Sequence, residues 1–145
     1  MNHYIDEEFE RIVSPILEID EFNQTKFITH HGITRYDHSM RVAYLSYKVS
    51  KVLRLNYKEV TEAALLHDFF LNEVDHENRA ERLRRHPEYA VNNASKYLDL
   101  SEMQKDIIRT HMFPVTFTPP KYLESWIVNL MDDVAALYEG GYRIH

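Results

Sequence analysis

The sequence predicts an all-α fold, a compact bundle of about six or seven helices resembling none of the strand-rich classes. Apolar residues recur at three- and four-residue steps along most of the chain, the signature of one-sided helices. Only 3 glycines and 5 prolines occur in 145 residues, too few for the tight turns of a strand-rich fold. Side chains that cap helices precede several of the periodic stretches.

The elements follow in order. Ile5, Phe9, Ile12, Val13, Ile16 and Leu17 form a first helical face. Pro15 is expected to end or restart that helix, with Ser14 as a cap. Asp20 to Thr29 reads as a short helix, broken by His30-His31-Gly32. From about Thr34 to Leu55, His38, Val42, Leu45, Val49 and Val52 fall on one face. Asn56 and Glu59 have capping-box spacing and open a helix over about Lys58 to Leu71, with Val60, Ala64, His67 and Leu71 inward. The next helix is expected to start at His86-Pro87, where proline suits the first helical position, and to run to about Leu98. Ser101 and Gln104 open another that ends near Met112. Pro114 and Pro119-Pro120 bracket a loop, and a last helix runs from about Lys121 to Glu139 before Gly140-Gly141. No repeat or composition break divides the chain, so one domain over residues 1–145 is expected, with helices in 1–29 packed on the rest.

Several function classes drop out. The absence of cysteine removes disulfides, Cys-ligated zinc, iron–sulfur clusters and thiol nucleophiles. The acidic N-terminal stretch has no apolar signal core, and no apolar run approaches the ~18 residues that span a bilayer. A cytoplasmic location without a membrane partner is the expectation. A net charge of −6 without a large basic block argues against duplex nucleic acid. Arg79 to Arg85 holds four arginines, but on a helix they ring the surface rather than converge.

The 9 histidines are unusual, and imidazole suits zinc, iron, nickel and copper. His38, His67, His86 and His111 each fall on an inner helix face or at a helix end, and Asp68 follows His67 directly. Asp132 lies on the stripe Val128, Asp132, Ala135, whereas Asp133 lies on Trp126, Leu130, Asp133, Leu137. One inward histidine is more often a satisfied core residue than a ligand. Four with two inward aspartates are hard to neutralise by hydrogen bonds alone, and one or two metal ions satisfy them together.

This ordered set resembles the HD-domain metal-dependent phosphohydrolase superfamily. Tyr36-Asp37-His38-Ser39 opens the first ligand helix, and Ala63-Ala64-Leu65-Leu66-His67-Asp68 is similar to the family's signature segment. Arg85-His86-Pro87 and Thr110-His111-Met112 supply the middle histidines, and 127–137 resembles the closing helix. The likeness covers about residues 30–139. It departs where Asp133 follows Asp132, since relatives usually have Lys there; family position favours Asp132 as the last ligand. The segment after Asp68 lacks the Gly or Lys often found there, and the Gly-Tyr-Pro string of the cyclic-dinucleotide branch is absent.

The resemblance implies His38, His67, Asp68 and Asp132 around a first metal and His86 and His111 around a second, with Asp68 bridging. Two divalent ions are expected, iron foremost, with Mn, Zn, Co or Ni as options. The implied reaction is hydrolysis of a phosphate ester, in a nucleotide, by a metal-activated water. His31, just before the first ligand helix, is the candidate general acid beside Asp68 as the central catalytic carboxylate. Arg35 and Lys121, flanking the ligand segments, are candidate phosphate clamps, as are Arg79 and Arg82. Two alternatives share these ligands: a mixed-valent di-iron oxygenase of the same fold, and a non-catalytic metal-stabilised binding module. With few elements to spare for a pocket, a homodimer sharing its site is a further expectation.

Overall fold

The computed structural model describes residues 6–30, 32–71 and 79–140, with 30 and 79–84 described by their backbone alone. Its elements run α1 (Glu7–Leu17), α2 (Asp20–Asn23), a 3-10 turn (Gln24–Phe27), β1 (Thr29–His30), β2 (Ile33–Thr34), α3 (Arg35–Val52), α4 (Tyr57–Leu65), α5 (Arg79–Ser95), α6 (Glu102–Arg109) and α7 (Leu123–Tyr138). The fold is all-α apart from one two-stranded hairpin, in which Thr29 pairs with Thr34 and His30 with Ile33.

The bundle is built around α4. Val60, Ala63, Ala64, Leu65 and Leu66 are all fully buried, the last four being an unbroken apolar run. It packs on α1, α3, α6 and α7, while α3 also packs on α7 and α5 leans on α6. Phe9, Ile12, Val13 and Ile16 bury one face of α1, and Asp6 caps it by accepting from Phe9 N–H at 3.0 Å. Thr34 caps α3 by accepting from Asp37 N–H at 3.0 Å. The Ser101–Gln104 capping box on α6 is complete, with both bonds at 3.1 Å. Asn56 caps α4 through Glu59 N–H, but the Glu59 carboxylate accepts from Ser101 Oγ, stapling α4 to α6.

Five expectations need correction. Pro15 neither ends α1 nor makes Ser14 a cap: it sits in the last turn, where its missing N–H removes one bond and Ile16 beyond it is buried. The predicted helix over 20–29 is a four-residue helix and a 3-10 turn leading into the hairpin. The expected stripe of α3 holds at His38 and Val42, both fully buried, but not at Val52, which is 78% exposed; the buried face runs instead through Ser39, Ala43, Ser46, Tyr47 and Ser50. Small side chains let α3 and α4 approach closely, so the face is set by size as well as by hydropathy. Arg54 ends this helix early with a left-handed φ of 61°. Pro87 is inside α5, not at its start; its ring is buried beside Ala90, Val91 and Ala94, packing that offsets the lost backbone bond. Lastly, α4 stops at Leu65 and α6 at Arg109, so His67, Asp68 and His111 stand on turns just past helix ends.

Candidate metal centre

Five segments converge on one buried cluster. His38 comes from the first turn of α3, His67 and Asp68 from the turn after α4, His86 from α5, His111 from the turn after α6, and Asp132 from α7. His38, His67, Asp68, His111 and Asp132 are at most 2% exposed. His86, at 15%, marks the side nearest solvent. Ligand-type atoms fall into three groups, each within 4.8 Å: His38–His67–Asp68, His67–His111–Asp132 and Asp68–His86–His111.

Backbone and carboxylate partners orient the rings. His67 Nδ1 lies 2.6 Å from Ala64 O and His111 Nδ1 2.7 Å from Ile108 O. A carbonyl can only accept, so Nδ1 carries the proton and Nε2 faces inward with its lone pair. Both helices stop just short of the histidine, so each ring can turn back onto a carbonyl of the last turn; the Ala64 carbonyl accepts the His67 backbone N–H as well. Asn129 Nδ2 secures the second turn by donating to the Thr110, His111 and Phe113 carbonyls at 3.2, 3.1 and 2.8 Å. Asp106 accepts from Ser125 Oγ at 2.6 Å and Lys121 N–H at 3.0 Å, holding the start of α7 to α6.

Asp132 Oδ1 lies 2.7 Å from His38 Nε2 and 3.5 Å from His67 Nε2. Asp68 turns Oδ2 toward His67 Nε2 at 3.5 Å, and Oδ1 toward His86 Nε2 at 2.8 Å and His111 Nε2 at 3.6 Å. One carboxylate therefore spans both ends of the cluster. Burial pushes the Asp68 carboxyl up, but His67, His111 and His86 together hold it well below the usual carboxylate range. Burial pulls His111 down, only partly opposed by Asp68, which disfavours the protonated imidazole. His67 Nε2 is buried with no hydrogen-bond partner among the described residues. A buried polar atom so placed is costly, and a divalent cation between the carboxylates and the imidazoles relieves it. The donor set is nitrogen and oxygen only, which suits zinc, iron, manganese, cobalt and nickel.

With that geometry in view, the comparison with known families is decisive. The sequence model of one family, described as HD domain, matches residues 35–137. The chain belongs to the HD domain family. No significant match is found among curated proteins or among solved structures. As an HD domain, the chain carries the all-α fold, and its buried His/Asp cluster is compatible with divalent metal binding. No helix among the described residues is long and apolar enough to cross a membrane.

The other sequence candidates are placed differently. Arg35, the first residue of α3, donates from Nη1 to Phe70 O and lays its guanidinium over the Phe70 ring at 4.1 Å. That ring meets His86 edge-on at 4.1 Å, so Arg35 adjoins the open side of the cluster. Lys121 is exposed at the foot of α7. Asp132 lies ~14 Å further along the helix axis from the first residue of α7, so Lys121 stands apart from that end of the cluster. Asp133 is half-buried and belongs to none of the three ligand groups. His31 lies outside the described residues, as do the side chains of Arg79 and Arg82.

Glu139 was not foreseen. It closes α7, and its carboxylate receives His38 Nδ1 at 2.8 Å and Arg41 Nη1 at 2.6 Å with a side chain only 2% exposed. Burial pushes this carboxyl up, but His38 and Arg41 leave it below its ordinary value. A glutamate before Gly140-Gly141 looks like solvated helix-end sequence; only the crossing of α3 and α7 turns it inward.

Proposed function

We propose that the protein is a metal-dependent phosphohydrolase that cleaves a phosphate ester of a nucleotide, with two divalent ions held by His38, His67, Asp68, His86, His111 and Asp132. The observation that carries this reading is Asp68, whose two oxygens face separate imidazole groups within an HD domain. Bound divalent ions supply Lewis acidity toward phosphoryl oxygens and lower the pKa of water. The chain's own residues do the positioning. His67 and His111 present Nε2 because the backbone holds their Nδ1 protons. Asp68 stays ionised and joins the two ends. Arg35, stacked on Phe70 beside His86, is the better placed phosphate clamp of the two proposed. A hollow of about 290 Å³ lined by Glu21, Phe70, Leu71, Tyr89, Asn92 and Asn93 adjoins the cluster through Phe70. Two aromatic walls and two amides suit a planar base that stacks and hydrogen-bonds, which favours a nucleotide over a simple phosphate ester.

The test is elemental analysis of protein purified without added metal, followed by phosphate release across a nucleotide panel, with Asp68→Asn as control. About two ions per chain and nucleotide-dependent release that Asp68→Asn abolishes support the reading. Full metal content with oxygen consumption and no release overturns it in favour of an oxygenase. Failure to take up any divalent ion overturns the metal assignment itself.

A further inference from the structure

Helix α7 is apolar on two opposite faces. Its inner face carries Val128, Asp132, Ala135 and Ala136, all buried. Leu123, Trp126, Leu130, Val134 and Leu137 line the outer face and are between 38% and 62% exposed. A helix apolar all round is normally covered all round, yet the described residues leave the outer face largely exposed, with Phe113 packing edge-on against Trp126 near its start. We propose that the outer face of α7 is the interface of a two-fold homodimer, in which two copies of the helix pack antiparallel.

The pattern of the stripe selects a second copy as the occupant. It is palindromic about Leu130, with Trp126 and Val134 four residues to either side and Leu123 and Leu137 seven to either side. A two-fold axis through Leu130 sets Leu123 of one copy against Leu137 of the other, and Trp126 against Val134. Such self-complementarity is what an isologous interface requires. The axis also keeps the two copies of Asp133, which flank the stripe, staggered along the helices rather than opposed. The area is adequate. With Tyr138 the stripe exposes about 700 Å², against about 800 Å² per partner in a standard interface. A lipid surface is a poor occupant, because residues 122–140 contain no Lys or Arg, the residues that draw such helices to anionic headgroups. The contact is independent of the chemistry at the metal centre, although Asp132 and Glu139 ride on the same helix.

The experiment is light scattering of the full chain across a micromolar concentration series, for wild type and Leu130→Asp. The wild type is expected at twice the 17.4 kDa chain mass. Leu130→Asp, at an exposed site, is expected as a monomer with unchanged circular dichroism, its self-affinity reduced on the order of a hundredfold or more. The chain has no cysteine, so Leu130→Cys is a unique probe. It should form a disulfide-linked dimer on mild oxidation, while Glu102→Cys on α6 should not. A monomeric wild type overturns the proposal, and so does a dimer that survives Leu130→Asp, which would place the contact on another surface.

Discussion

Glu139 does for His38 what the backbone carbonyls do for His67 and His111: it holds Nδ1, so that Nε2 is left facing Asp132. Carboxylates in this relation to a ligating histidine fix the ring and raise its basicity. Glu139→Gln keeps the shape but removes the charge that His38 and Arg41 share. Divalent-ion affinity should fall about 10–100-fold with the helical spectrum unchanged, as read by competition with a chromophoric chelator. Unaltered affinity would reduce Glu139 to an ion-pair partner of Arg41. The contrast with Asp132 shows what residues alone disclose. Asp132 stands out because a carboxylate on an apolar stripe is expensive. Glu139 has no such context in sequence, and its role depends on a contact 101 positions away.

Among the elements, caps and periodic apolar faces were legible because their signals are local: Ser101–Gln104, Asn56 and the face of α1 need only neighbouring residues. The buried face of α3 was not, since Ser46 and Ser50 read as polar and are buried by the closeness of α4. Both hydroxyls lack a hydrogen-bond partner among the described residues, and an unsatisfied buried hydroxyl costs free energy that alanine avoids. Ser46→Ala and Ser50→Ala should each stabilise the fold by about 1 kcal/mol in urea titrations; destabilisation would show that the hydroxyls make bonds. At the start of α1 the sign is opposite. The bond from Phe9 N–H, with Tyr47 OH and Lys51 nearby, holds the Asp6 carboxyl below its ordinary value of 3.8. A folded-state pKa depressed in this way contributes stability that is fully present above the unfolded value and lost as pH falls through the folded one. Asp6→Asn should therefore flatten the acid limb of a stability–pH profile while keeping a cap. Asp6→Ala should cost about 1 kcal/mol at neutral pH. An acid limb as steep in Asp6→Asn as in wild type would assign that slope to other carboxylates.

For the molecule as a whole, the order in which the clustered His and Asp side chains occur along the chain was legible, because the family's strings recur at intervals that helices can bridge. The turns that present His67, Asp68 and His111 were not, because helical periodicity runs past the points where the backbone leaves the helix. An ion held by those turns is expected to stabilise the fold. The cluster draws on α3, the turn after α4, α5, the turn after α6, and α7, so an ion at its centre ties together segments from across the bundle. An ion that binds only the folded chain stabilises it by RT ln(1 + [L]/Kd), about 4 kcal/mol at a thousandfold excess over Kd. In a chain of this length that corresponds to a rise in Tm of about 10 °C. Calorimetry of loaded and chelator-treated protein should show that gap. His86→Ala, which removes a ligand from the Asp68–His86–His111 end alone, should narrow the gap without closing it, whereas Asp68→Asn should nearly abolish it. A Tm indifferent to chelation would mean that the buried carboxylates and imidazoles neutralise one another without an ion. The unpartnered His67 Nε2 would then be a cost that the surrounding core sustains alone.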